Sequence, residues 1–366
     1  MLASAIRLMT KGDLQRSLLD WYARERRDLP WRRVRDPYAT LVSETMLQQT
    51  RIQTVLPYYE RFMRELPTIY ALAEAPEERV LALWSGLGYY RRARMLQAAA
   101  KCVAAVHGGR IPQETSDLRE LEGVGAYTAG AIASIAFGRR AALVDGNVAR
   151  VLARLFLIEE DIKSTRAKAL LWKLAEKLVT TADGHPGDWN QALMELGATV
   201  CSPRDPRCGA CPVRDHCKAL ERGLVATLPR SEARPRPRLI RRVAVVLASS
   251  VAVLLARRRT DSMMGGLWEP PSGEGDIDVL ASRLGVHPRS LQSAGEVVHV
   301  LTHRRMRVEV ARGALPRRKR WALPGTDYDA IERVALEDLA SLAHSSLARK
   351  VLIVANVPLR GLPWKE

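Results

Sequence analysis

Two acidic residues stand where an acid could do chemistry. Glu44 lies in SETMLQQT with Leu41, Leu47 and Gln48 three or four positions away, on one face of a helix. An acid flanked by leucines can hold its proton to higher pH, as a general acid near neutrality must. The alternative, commoner for a lone glutamate, is a surface side chain leaning into water. Asp145 lies in VDGN, a turn that sets one carboxylate at the mouth of the next helix. Upstream, Gly123-Val124-Gly125 joins two helical patterns. Glycines one residue apart let the backbone take positive φ and approach another surface. The orphan N–H groups of the helix that follows, expected over residues 127–137, suit a phosphate. This stretch reads either as a DNA-backbone clamp followed by a catalytic aspartate or as two ordinary helix connections.

A second constellation is built on sulfur. Four of the five cysteines form Cys201-x6-Cys208-x2-Cys211-x5-Cys217. Four thiolates on one loop can hold zinc or an iron–sulfur cluster, and the uneven spacing on a single loop favours [4Fe–4S]. Arg204, Arg207, Arg214 and Lys218 make that lobe basic. Cys102 reads as a buried apolar residue. A third is the stretch WSGLGYYRR over residues 84–92. Glycines, paired tyrosines and paired arginines fit a loop wedged into a duplex, or a helix start with a buried tyrosine. Trp31 beside Arg32 could line a base pocket or belong to a solvated basic face. Gln48, Gln49 and Thr50 suit base edges or ordinary capping.

The elements that must position these residues follow from pattern. Asp36-Pro37 is a helix start, a capping residue with proline at the first turn, and that helix carries Glu44. Residues 52–63 keep helical apolar spacing, and further helices are expected over 148–158, 165–181 and 188–196. Residues 1–228 thus read as an all-helical domain. Residues 229–242, rich in proline and arginine, read as a linker. After 243 the chain changes to α+β, with strands over 243–248, 251–256 and around Met306-x-Val308-x-Val310, and helical patterns over 276–284 and 327–343. The length of 366 residues allows two cores. A net charge of +17 points to a polyanion, nucleic acid before all. The N-terminus lacks the apolar core of a signal peptide, and the run 243–256 is too short to span a bilayer. The expected location is therefore intracellular, cytoplasmic, and beside the nucleoid in a bacterium.

GVGAYTAG, VDGN and the four-cysteine loop together resemble the helix-hairpin-helix DNA glycosylases related to endonuclease III. SETMLQQT, GLGYYRRAR and GGLWEPP are similar to the adenine-removing branch of that superfamily. The resemblance covers the whole chain, most strongly residues 30–220. It implies a six-helix barrel with the hairpin motif and a [4Fe–4S] lobe on Cys201, Cys208, Cys211 and Cys217, then a smaller Nudix-like domain over 243–366. It implies a monomer that removes adenine mispaired with 8-oxoguanine or guanine in double-stranded DNA. On this chain Glu44 protonates the adenine, Asp145 stabilises the oxocarbenium-like sugar, and Tyr127 and Asn147 lie beside that sugar. Trp31 and Arg32 belong to the adenine pocket. Gln49, Thr50, Leu87 and Tyr89 meet DNA near the orphaned base, with Gly123 and Gly125 on its backbone. Thr302 and His303 stand where the family reads 8-oxoguanine, with Leu301 replacing an aromatic residue. The acidic run that binds magnesium in Nudix hydrolases is missing between residues 273 and 285, so no pyrophosphatase activity is expected.

Tyr127 stands where strand-cleaving relatives carry a lysine, and a phenol cannot form a Schiff base. A monofunctional glycosylase is therefore expected. Two rivals are a bifunctional pyrimidine glycosylase and lyase, against which Tyr127 and the second domain argue, and a non-catalytic iron–sulfur DNA-damage-binding protein. The latter would need neither Glu44 nor Asp145.

Overall fold

In the computed structural model, which describes residues 12–182, 184–230, 237–301, 303–318 and 320–359, contacts divide the chain into two units. One joins Met1–Ala73 to Met95–Ala233, the other Glu74–Arg94 to Arg234–Glu366. The helices of the first half are α1 (Gly12–Glu25), α2 (Pro37–Leu47), α3 (Ile52–Glu65), α4 (Ile69–Glu74), α5 (Glu77–Trp84), α6 (Arg91–Val106), α7 (Thr115–Glu120), α8 (Ala126–Ala131), α9 (Gly146–Phe156), α10 (Thr165–Thr181), α11 (Pro186–Thr199) and α12 (Lys218–Glu221).

Local chemistry sets the two helix starts that matter most. At α2, the Asp36 carboxylate accepts from Ala39 N at 2.6 Å and Pro37 fills the first turn. At α9, Asp145 Oδ1 accepts from Val148 N at 2.7 Å. A buried core of Leu14, Leu18, Leu152, Leu171, Trp189 and Leu193 holds α1, α9, α10 and α11 together. Fully buried Trp189 lies on α11, which packs on α1, α9 and α10. The hairpin between α7 and α8 differs from expectation at one glycine. Gly123 has φ +79°, and a Cβ there would lie 2.6 Å from Met95 Cβ, so both backbone and neighbour require glycine. Gly125, at φ −83° and ψ 179°, is extended. The helix expected over 127–137 changes after Ala131 to a π-helical turn, Ile132–Ala136.

The second unit is a mixed seven-stranded sheet. Its strands are β1 (Arg238–Ala248), β2 (Ala252–Arg258), β3 (Trp268–Glu269), β4 (Ser272–Gly273), β5 (Gln292–Val300), β6 (Arg304–Ala314) and β7 (Tyr328–Ala335). The order is β3-β2-β1-β6-β5, with β4 on β1 and β7 on β2. Among the described strands only β1 and β6 run parallel, from Arg238↔Arg304 to Ala248↔Ala314. From Val243 to Leu247, β1 is buried and apolar on both faces. Val243, Val245 and Leu247 meet Leu280 of α13 (Ile277–Arg283). Ala244 and Val246 join Val308, Leu347 and Val351, the last two on α14 (Ser346–Val354). A parallel pair covered on both faces requires this pattern.

Three expectations change here. Residues 327–343 hold strand β7 and a 3-10 turn (Leu336–Ser341) instead of a helix. Pairing with β2 from Ala252↔Ala335 to Arg258↔Tyr328 outweighs the helix-forming composition. Strand β1 begins at Arg238, inside the expected linker, because its pairing with β6 extends that far; residues 231–236 lie outside the described residues. Residues 74–94, read as part of the helical domain, gather with the second unit. Arg94 Nη2 donates to Gly265 O at 2.7 Å, and Arg257 pairs with Glu78 at 2.7 Å.

Candidate active site

A cleft of about 670 Å³ in the first unit brings together Trp31, Arg32, Glu44, Gln49, Thr50, Tyr127, Asp145 and Asn147. Glu44 comes from the last turns of α2, Tyr127 from the first turn of α8, and Asp145 caps α9. Glu44 is 5 % exposed. Burial pushes its carboxyl up; the Tyr127 hydrogen bond pulls it partly back, and the result is about 7. Tyr127 Oη donates to Glu44 Oε2 at 2.5 Å and also reaches Met194 Sδ at 3.3 Å. Burial and the neighbouring carboxylates hold the Tyr127 phenol well above its ordinary value, so it stays protonated.

Asp145 has a different surrounding. Its two oxygens are both engaged, Oδ1 by Val148 N and Oδ2 by Asn147 Nδ2 at 2.9 Å. Burial raises its pKa, while the bonds from Val148 and Asn147 and the charge of Arg150 oppose the rise. The start of α9 adds the positive end of a helix dipole. Arg150 fastens this turn: Nη2 donates to Asn147 Oδ1 and Gly197 O at 2.8 Å each, and Nε to Cys201 O at 2.8 Å.

The cleft also contains residues that sequence reasoning missed. Glu195, whose side chain is 0 % exposed, is held by Arg27 at 2.7 Å and by Arg32 at 2.8 Å. Burial alone would raise Glu195, but the two guanidinium groups overcome that and bring it to about 2. Its signal was the one used for Glu44, an acid with apolar residues three positions away on its helix face (Ala192 and Ala198). Arg32 therefore lines the cleft as one half of a buried ion pair. Trp31 is buried edge-on against Tyr59, ring centroids 5.1 Å apart. Gln49 is exposed with φ 58°, and Thr50 is half-buried.

Other expected site residues lie outside the cleft. Gly123 and Gly125 are exposed at the hairpin. Tyr89 is 47 % exposed with φ 49°, whereas Leu87 is only 6 % exposed and so is not a projecting wedge here. His303 is exposed in the turn between β5 and β6, which Leu301 N closes by donating to Arg304 O at 2.7 Å. Thr302 lies outside the described residues.

Cys201, Cys208, Cys211 and Cys217 are free and half-buried. Among the described residues no group of three or more His, Cys, Asp or Glu side chains forms a ready metal site. The donor set nevertheless fits a soft-metal cluster. The four thiols are close enough to influence one another's charge, and Arg154 Nη1 donates to Cys201 Sγ at 3.3 Å. No helix among the described residues is long and apolar enough to cross a membrane.

Comparison with known proteins agrees with both folds. A family described as HhH-GPD superfamily base excision DNA repair protein matches residues 42–177, and the NUDIX domain family matches 242–353. The adenine DNA glycosylase of Rattus norvegicus is 38 % identical over 95 % of this chain and 78 % of its own length. That of Homo sapiens is 40 % identical over 80 % of this chain and 65 % of its own. Among solved structures, a thermostable thymine-DNA glycosylase is 30 % identical, with a TM-score of 0.52 over 60 % of this chain and 99 % of that one.

Proposed function

The chain belongs to the adenine DNA glycosylases, base-excision repair enzymes that hydrolyse the N-glycosidic bond of adenine, and we propose that its target is adenine opposite 8-oxoguanine or guanine in duplex DNA. We read it as a monomer acting on chromosomal DNA and as monofunctional, leaving an abasic site in an intact strand. The observation that carries the reading is one cleft holding a buried carboxyl that accepts from Tyr127 and a second carboxylate at a helix mouth.

The basic chain binds the duplex through phosphates, aided by the hairpin at Gly123 and Gly125. Tyr89 enters the stack, Gln49 and Thr50 meet the orphaned base, and adenine flips into the cleft against Trp31 and Arg32. Near neutral pH Glu44 carries a proton. Tyr127 donates to Oε2, which leaves Oε1 free to deliver that proton to the adenine ring. The glycosidic pair of electrons then leaves with a neutral base. Asp145, oriented by Val148 and Asn147, offsets the positive charge on the sugar as its carboxylate. Water adds to the anomeric carbon and returns a proton to Glu44, restoring the enzyme. The protonated Tyr127 phenol offers no amine to attack the sugar, so no strand scission accompanies release.

Cys201, Cys208, Cys211 and Cys217 would hold a [4Fe–4S] cluster. Its contribution is to order the basic loop, which also reaches the Asp145 turn through Arg150. In the second unit, Thr302 and His303 are read as the 8-oxoguanine contact.

The test uses a labelled duplex with one adenine opposite 8-oxoguanine, and a second with guanine opposite. Free adenine is expected from both, with strand breaks only after alkali. Breaks without alkali would overturn the monofunctional reading. Tight, salt-sensitive binding without release would favour the non-catalytic alternative.

A further inference from the structure

The loop carrying Tyr89 is fastened by several hydrogen bonds, and its anchor is a backbone group far away in sequence. Ser85 and Tyr90 flank residues 86–89 and are both buried. Ser85 Oγ donates to His344 O at 2.9 Å and accepts from His344 N at 2.9 Å. The Tyr90 hydroxyl donates to the same His344 carbonyl and accepts from Gly86 N at 2.9 Å. Residue 344 is thus gripped from both sides of the loop. His344 is itself pinned, its ring nitrogens 3.2 Å from Trp268 O and 2.7 Å from Leu339 O.

Inside the loop, Trp84 Nε1 and Arg92 Nη2 each donate to Gly88 O at 3.1 Å. The Arg92 guanidinium lies 5.3 Å from the Tyr89 ring. Tyr89 is left standing out in a left-handed conformation, which a free loop of this sequence would readily abandon. Residues 234–366, which supply the anchor, also supply His303.

We propose that Ser85 and Tyr90 are positioning residues that latch the Tyr89 loop onto the fold carrying the 300–304 turn, so that reading the opposite base and inserting Tyr89 act together. The proposal rests on the functional reading above, in which Tyr89 meets the duplex and His303 reads 8-oxoguanine. Neither Ser85 nor Tyr90 touches substrate. Without the latch, recognition of 8-oxoguanine no longer helps hold Tyr89 in the stack, while the basal chemistry opposite guanine continues.

The experiment compares single-turnover adenine release opposite 8-oxoguanine and opposite guanine, for the full chain and for Tyr90→Phe, Ser85→Ala and the pair. Tyr90→Phe removes one oxygen and keeps the ring, so it tests the latch with little change in packing. In the pair the ratio of the two rates should fall about tenfold, equivalent to about 1.4 kcal/mol of transition-state discrimination. The rate opposite guanine should stay within about twofold. Equal losses on both substrates, or an unchanged ratio in Tyr90→Phe and the pair, would overturn the proposal.

Amide hydrogen exchange separates this result from a failure of the functional reading. Exchange at Gly86 and Tyr89 should quicken in Tyr90→Phe, and unchanged exchange refutes the latch whatever the rates do. A wild-type chain that releases no adenine, yet whose loop loosens in Tyr90→Phe, would keep the latch and sink the substrate assignment.

Discussion

Replacing Glu44 by glutamine should make the protein more stable, and by an amount that depends on pH. Folded Glu44 keeps its proton up to about pH 7, whereas an ordinary carboxyl loses it near 4.5. Between those values the folded state binds more protons than the unfolded chain, so stability falls as pH rises and the loss is complete above 7. At about 1.4 kcal/mol per pH unit the full penalty is about 3 kcal/mol. A glutamine side chain at this position carries no charge, keeps an oxygen able to accept from Tyr127, and has nearly the same volume. Urea denaturation should therefore find Glu44→Gln more stable than wild type by about 3 kcal/mol at pH 8.5, and by less than about 1 kcal/mol at pH 5. Adenine release should be lost at both. An equal difference at the two pH values would mean that packing, and not ionisation, separates the variants. A variant less stable than wild type at pH 8.5 would refute the raised pKa itself.

Three further outcomes follow from the same cleft. In Tyr127→Phe the hydrogen bond that holds Glu44 down is gone, so Glu44 rises and the alkaline limb of the single-turnover rate should move to higher pH; a limb that stays or moves down contradicts the bond's role. Asp145→Asn should cut base release at least about a hundredfold while duplex affinity, measured by fluorescence anisotropy, stays near wild type. Arg150→Met removes the guanidinium that joins Asn147 to Gly197 and Cys201. Release should slow by roughly tenfold or more through loss of Asp145 alignment, and an unchanged rate would show that Asn147 and Val148 hold Asp145 without Arg150.

Much of the scaffold is written locally, and that part was legible. The Asp36-Pro37 start, the Asp145 cap and the alternation in β6 each follow from a few adjacent residues. Features decided by distant partners were not. Residues 328–335 have helical composition and become a strand only because β2 offers an antiparallel partner. The last helix, α14, carries a cap at Ser345 and apolar spacing at Leu347 and Val351, a signal as local as the caps at Asp36 and Asp145. The family resemblance places both Leu87 and Tyr89 at the DNA, yet Leu87 is buried and Tyr89 alone of that pair projects.

The two glutamates of the cleft show most sharply why roles escape a linear reading. Glu44 and Glu195 each have apolar residues three positions away on a helix, and each is buried. Burial alone would make both weak acids. What separates them is the company brought by the fold. Glu44 faces a phenol and another carboxylate and settles near 7. Glu195 faces Arg27 and Arg32 and settles near 2. One is poised to give a proton, while the other is fixed as an anion and orders the guanidinium groups along the cleft wall. Placing acids of opposite habit in one cavity is how a protein runs acid chemistry at neutral pH. It also constrains the ion pair: a charge lost from either Arg27 or Arg32 would let Glu195 rise from its low value. Arg27 and Arg32 therefore set the state of Glu195, and the sequence, in which they look like one more basic run, carries no mark of it.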